Sequence, residues 1–304
     1  MYFPFIRGKQ FELVAIRELA PKLPNDLYKP IIEPVRENLL PLIKTIKSIN
    51  EFNVQPIIII NPSLGDFKSK NVNLYSKILS LDSSLNFIPC VQIVESAADY
   101  SPILKDLPRG LAIFVPDILE DVNQSIFENS EFDIVPVDTL DSELVGLHNV
   151  ILLDDPFQKK SRNADYKDRS KFSLLHKNFK NRPNTIGFSD YNIVGSEYTE
   201  AGGPAYVVTI HLSYIDKENE QMFVRHFSSY PSNSPANPGG KFEEALERAI
   251  RYINENPNVF DETFGIDELR RLHATAHFPG LGLVKKISVQ HHIETICNYL
   301  NKAR

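Results

Sequence analysis

The sequence predicts an α/β chain built on a (β/α)8, TIM-like barrel, with a β-hairpin insertion after the eighth strand and a C-terminal helical extension. Three observations predict it. Eight short apolar runs recur along residues 1–190, amphipathic stretches separate them, and the pattern breaks after the eighth run. Short continuous runs rich in β-branched residues suit strands buried on both faces, as parallel sheets require. Strands alternating with helices make βαβ units, and eight such units close a barrel. A doubly wound open sheet is the alternative, but no Gly-x-Gly-x-x-Gly follows the first run, which argues against a dinucleotide-binding version. The expected organisation is a single barrel domain over 1–304: eight β/α units in 1–190, a hairpin and loop in 191–240, and closing helices in 241–304.

The apolar runs span residues 2–6, 30–35, 56–60, 87–93, 111–115, 132–137, 150–153 and 185–188. Phe11, Val14, Ala15 and Leu19 follow the first at helical spacing; Leu39, Leu42, Ile43 and Ile46 follow the second; Leu74, Ile78 and Leu81 follow the third. Ile103 and Leu107 fit a shorter helix. Residues 166–179 read as a polar helix with Phe172 and Leu175 inward. After the eighth run, residues 206–215 and 221–227 flank the charged segment 216–220, the pattern of an antiparallel hairpin. Residues 228–240, rich in Ser, Asn, Pro and Gly, read as a loop. Phe242, Ala245, Leu246, Ala249, Ile250 and Ile253 form the clearest helical stripe, over 241–253. A final helix is expected over 289–301, with Ser288 as its N-cap.

Composition narrows the function classes. Lys and Arg number 33 against 39 Asp and Glu, a net charge of −6, so no global basic field draws the chain to nucleic acid, although a local basic patch remains open. Cys90 and Cys297 are the only cysteines, too few for a disulfide framework, and point to a reducing cytosol. The N-terminus reads as a strand rather than a signal peptide. No apolar run approaches the roughly 20 residues a membrane helix needs, so no membrane partner is expected.

A parallel barrel carries its sites at the C-terminal ends of its strands. Arg7-Gly8-Lys9 follows the first run, and two cations around a glycine suit an anion. Glu33 lies inside the second run, where an unpaired carboxylate would be costly, so it is either a rim acid or the partner of Arg7 or Lys9. Asn61 follows the third run, with a turn or capping role as its plainer reading. Asp190 ends the eighth. Gly202 and Gly203 sit where barrels often hold phosphate, and Asn237-Pro238-Gly239-Gly240-Lys241 opens the best helix, whose N-terminus attracts anions. His211 and His226 fall on the two hairpin strands; with Asp190 they are candidates for acid–base work or for a divalent metal. His292 shares the stripe of Val289, Ile293 and Ile296 and reads as a packed core histidine, with His291 beside it. No His-Glu-x-x-His, Cys-x-x-Cys or Gly-x-Ser-x-Gly is present.

The opening Tyr2-Phe3-Pro4-Phe5-Ile6-Arg7-Gly8-Lys9-Gln10-Phe11-Glu12, the Pro30-Ile31-Ile32-Glu33-Pro34 run and the closing His291-His292-Ile293 resemble the phage beta-protein family of bacterial and phage proteins. The resemblance implies a shared fold and a phage or mobile-element setting, but brings no activity, cofactor or catalytic residues. It draws attention to Lys9, Glu12, Glu33 and His291-His292, which lie in the motifs. The function expected from these observations is a barrel enzyme, a hydrolase in class, acting on a phosphate-bearing ligand such as a nucleotide. In it Arg7 and Lys9 hold the anion, Glu33 or Asp190 is the base, and His211 or His226 is the acid or metal ligand. The alternative is a non-catalytic barrel that binds a protein partner through the hairpin and the 228–240 loop.

Overall fold

The structure, a computed structural model, describes residues 1–118, 124–200, 202–203 and 205–303. Where the sequence reads as one barrel domain, the chain divides into two compact units: Met1–Asp155 with Leu175–Asp190, and Pro156–Leu174 with Tyr191–Arg304.

The first unit is the barrel. In chain order its elements are β1 (Phe5–Ile6), α1 (Gln10–Leu19), β2 (Ile31–Ile32), α2 (Leu40–Asn50), β3 (Ile57–Ile59), α3 (Tyr75–Leu81), β4 (Ile88–Gln92), α4 (Ser101–Leu104), β5 (Leu111–Phe114), β6 (Ser130–Pro136), α5 (Asp141–Leu144) and β7 (Val150–Asp154). The next strand, β8 (Arg169–Lys171), belongs to the second unit, and α6 (Leu175–Asn178) and β9 (Thr185–Asp190) complete the first. The eight barrel strands pair in parallel in the order β1-β2-β3-β4-β5-β6-β7-β9. Tyr2 bridges both Tyr28 and Phe188, and the Phe3 amide donates to the Phe188 carbonyl at 2.8 Å, so the two edges of the sheet nearly close. The layer around it is uneven: α1, α2 and α3 are helices of two turns or more, whereas α4, α5 and α6 are single turns.

Ring contacts identify the inner face. Phe5 of β1 meets Phe114 of β5 with centroids 5.4 Å apart, and Phe3 meets Phe132 of β6 at 6.2 Å. These strands are far apart around the sheet, so the contacts must cross the barrel interior. A Cβ on Gly187 would lie 2.4 Å from the Phe3 ring, which is why β9 carries no side chain there. Side chains alternate along a strand, and parallel partners share a face. Starting from Phe5, this register places Glu33, Gln92 and Ser189 inward toward the C-terminal end of the barrel, with Arg7 above them. Tyr2, Phe188 and Asp190 lie on the outer face.

The second unit contains β8, the hairpin β10 (Thr209–Ile215) and β11 (Met222–Ser228), and the helices α7 (Pro238–Glu255), α8 (Phe264–Ala274) and α9 (Leu281–Lys302). The hairpin is antiparallel, as expected, and β8 adds to it in the order β10-β11-β8. The helices of 241–304, expected to close the barrel, belong to the second unit. Phe242, Ala249, Ile266, Leu269 and Ile287 cover Ile210 and Leu212 of the hairpin in one apolar core.

Three local expectations change. Residues 166–179 are not one helix but a polar strand, β8, followed by the single turn α6. Arg169-Ser170-Lys171 has no apolar alternation because it forms a mostly exposed edge strand. The last helix begins at Leu281, after Gly280 with φ +89°, so Ser288 is a buried helical residue and not an N-cap. Helix α8 has no counterpart among the expected elements, although Thr263 caps it by accepting from the Ile266 amide at 3.2 Å.

Candidate functional site

At the C-terminal end of the barrel Arg7, Glu12 and Glu33 gather and satisfy one another. The Arg7 guanidinium donates to Glu33 Oε2, and the Arg7 amide donates to Glu12 Oε2 at 2.7 Å. Glu33 is fully buried, and its other oxygen accepts from the Ser63 amide at 3.4 Å. Burial raises the Glu33 carboxyl above the usual carboxylate range, and Arg7 opposes that shift. Gly8 has φ +60°, and a Cβ there would lie 3.0 Å from the Glu33 carbonyl. Its role is thus to let the first loop press onto β2. Lys9 is half-buried at the start of α1. Asn61 exchanges hydrogen bonds with the Gln92 backbone, donating to the carbonyl and accepting from the amide, each at 2.8 Å, and so ties β3 to β4. Asp190, on the outer face, accepts from the Tyr2 hydroxyl at 2.7 Å. Of the residues expected to hold an anion or act as base, Arg7 and Glu33 therefore form an internal ion pair, and Asp190 is not grouped with them.

Gly202 and Gly203 are exposed, with open space where a Cβ would be; Ala201 and Pro204 lie outside the described residues. At the start of α7 the Asn237 side chain accepts from the Gly240 amide at 3.0 Å, and the Lys241 ammonium donates to backbone carbonyls of Ala205 and Ser234. That helix terminus is capped by its own residues.

The second unit holds the more open arrangement. The hairpin register sets His211 of β10 opposite His226 of β11, and their Nδ1 atoms lie 2.7 Å apart, one donating to the other. His226 Nε2 lies 2.9 Å from Ser170 Oγ on β8, so a hydrogen-bonded chain crosses all three strands. Tyr166 stacks on the His226 ring at 4.6 Å and meets His211 edge-on at 4.7 Å; Phe157 approaches His211 at 5.3 Å. Burial lowers His211 well below the ordinary histidine value, and the neighbouring His226 and Lys285 add to that effect. Burial, with Lys160 adding, lowers His226 to about 4. Both rings are therefore neutral at pH 7.

His211 lines a cavity of about 250 Å³. Lys159, Lys160 and Lys285 supply its cationic wall, Asn163 and Thr209 its polar wall, and Ile193, Val207 and Val284 an apolar one. Lys159 is held by Glu197 at 3.0 Å. Lys160 has no carboxylate partner among the described residues, and its backbone amide donates to the Tyr166 hydroxyl at 3.2 Å. Among the described residues no group of three His, Cys, Asp or Glu side chains could hold a metal ion. The expected metal set of His211, His226 and Asp190 thus gains no support: the two rings bond to each other, and Asp190 belongs to the barrel unit.

The other histidine pair is structural. His292 and His291 are fully buried in α9. His292 Nδ1 bonds Ser213 Oγ at 2.7 Å; His291 bonds Thr263 Oγ1 at 2.8 Å and the Ser213 carbonyl at 2.7 Å. Burial lowers His291 to about 4.

No protein family, curated protein or solved structure matches the chain in any of the three comparisons made. The site rests on its own geometry. Sequence reasoning found His211 and His226 but missed Phe157, Lys160, Tyr166, Ser170 and Lys285. One signal was available: two adjacent lysines between aromatic residues, immediately after the seventh barrel strand.

Proposed function

We propose that this protein binds a phosphate-bearing ligand of mononucleotide size in the cavity of its second unit and acts on it as an enzyme. One observation carries the reading. A cavity with one apolar wall is lined by Lys160, Lys285 and the neutral His211, whose partner His226 stacks on Tyr166. Lysines are point-charge donors for phosphate, and an apolar wall suits a base or other flat body. Membership in the phage beta-protein family, suggested by residues 2–12 and 291–293, would supply a setting in which nucleotides are ordinary ligands. Cys90 and Cys297, both free and buried, fit a cytoplasmic protein. No described helix is long and apolar enough to cross a membrane. The protein-partner reading gains no equivalent support, because the apolar residues of the hairpin are buried in its own core.

Thermal melts of the full chain with AMP, ATP and pyrophosphate test the proposal. A ligand present at about 100 times its Kd stabilises the folded state by about 2.7 kcal/mol. The expected result is an upward shift that weakens with salt. An unchanged melt with all three compounds would refute it.

A further inference from the structure

We propose that His211 is the proton-transferring residue of a phosphate-ester hydrolysis in this cavity, with His226 and Ser170 as positioning residues that hold its ring in the reactive tautomer. This inference rests on the phosphate-ligand reading above and adds a reaction to it.

The geometry carries the inference. Ser170 Oγ lies 2.9 Å from His226 Nε2, and His226 Nδ1 lies 2.7 Å from His211 Nδ1. Three of the four ring nitrogens are thereby engaged. The fourth, His211 Nε2, makes no hydrogen bond among the described residues, and it belongs to the ring that lines the cavity. A neutral imidazole carries one proton, so the bonds leave two arrangements. If His226 Nε2–H donates to Ser170, His226 Nδ1 accepts from His211 Nδ1–H, and His211 Nε2 presents a lone pair. If Ser170 donates instead, every role reverses and His211 Nε2–H becomes a donor. The direction of the Ser170–His226 bond thus goes with the state of the nitrogen at the cavity, and the proposed step uses the first arrangement, in which that nitrogen is a base. Tyr166, stacked on His226, restrains the ring so that the chain stays aligned.

The step balances with water as the only co-reactant. A water oxygen attacks phosphorus while its proton passes to His211 Nε2. A new phosphorus–oxygen bond forms, and the bond to the ester oxygen breaks with its electron pair. His211 then returns the proton to that leaving oxygen, giving an alcohol and inorganic phosphate with no change of oxidation state. Lys160 and Lys285 hold the negative charge of the phosphoryl oxygens. Their positive fields also lower the basicity of the histidine pair. A bound phosphate offsets those fields, so His211 becomes a stronger base when the substrate is in place.

Phosphate release from AMP and from p-nitrophenyl phosphate by the full chain tests the inference. Turnover is expected in the wild type, and H211Q should lower kcat at least ~100-fold while the AMP-induced melting shift is retained. S170A, which keeps the His211 ring, should change the pH profile of kcat with little change in KM, an effect that a purely structural serine would not produce. An AMP shift without phosphate release would overturn the inference and leave the binding reading intact. So would undiminished turnover in H211Q, or an S170A profile identical to the wild type. Absence of any AMP shift would instead defeat the binding reading itself.

Discussion

Arg7 and Glu33 in the barrel neutralise each other behind Gly8, whereas His211 and His226 in the second unit are neutral and leave the charge of Lys160 at a cavity wall. Both arrangements answer the same constraint: a buried ionisable group must be paired or uncharged. The barrel pairs a fixed cation with a carboxylate, and the pair turns inward. The second unit uses groups that can shed their charge, His211 and His226, beside the lysines of a cavity wall. Ionisable residues at strand ends therefore do not by themselves mark a site. What distinguishes the second unit is a lysine, Lys160, with no carboxylate partner among the described residues, beside a cavity.

The contrast can be broken most strongly at Arg7. Arg7→Ala leaves Glu33 fully buried without its cation, and loss of one partner of a buried pair costs about 3–5 kcal/mol. Denaturant melts should also give a pH dependence. The folded-state value of Glu33 is raised, so its contribution is fully present below the unfolded carboxyl value and is lost as pH rises through the folded one. The variant should accordingly lose more stability at pH 8 than at pH 5. A loss under about 1 kcal/mol would remove the pair from the barrel's stability.

Acid should act on the second unit with the opposite sign. His226 and His291 are held at about 4, below the ordinary value of 6.5. The unfolded chain takes up these protons first, so the stabilisation is present above pH 6.5 and falls as pH drops toward 4, by about 1.4 kcal/mol per pH unit for each group. Hydrogen exchange followed from pH 7 to 4.5 should therefore open β10, β11 and α9 before the barrel strands. Uniform opening of both units would contradict the assignment of neutral, buried histidines.

The barrel could be read from the sequence because each of its strands is buried on both faces, which leaves an unbroken apolar run that few other structures need. The core role of His292 could be read too, from its place on the stripe with Val289 and Ile296. Strand β8 could not, because an edge strand of Arg, Ser and Lys buries almost nothing and carries no period-two signal. The same blind spot concealed the site. Ser170 lies on β8, and Tyr166 lies in the stretch that helical spacing claimed. The Arg7–Glu33 contact was foreseeable from the cost of burying Glu33. That the contact leaves Arg7 committed to Glu33 depends on the barrel register, which brings both side chains to the inner face. The His211–His226 pairing followed from the hairpin, but Lys285 comes from a helix 74 positions beyond His211, a proximity no local pattern encodes.

The central claim is that the anion site lies in the second unit and not at the barrel mouth. Melts of the wild type, of K9A and of the double variant K160A/K285A, each with and without ATP, test it most directly. All three proteins should melt within about 0.5 kcal/mol of one another without ligand, as exposed and half-exposed lysines usually allow. The account predicts that K9A keeps the ATP-induced shift and that K160A/K285A loses it. Loss of the shift in K9A with retention in the double variant would place the anion at the first barrel strand and contradict the account.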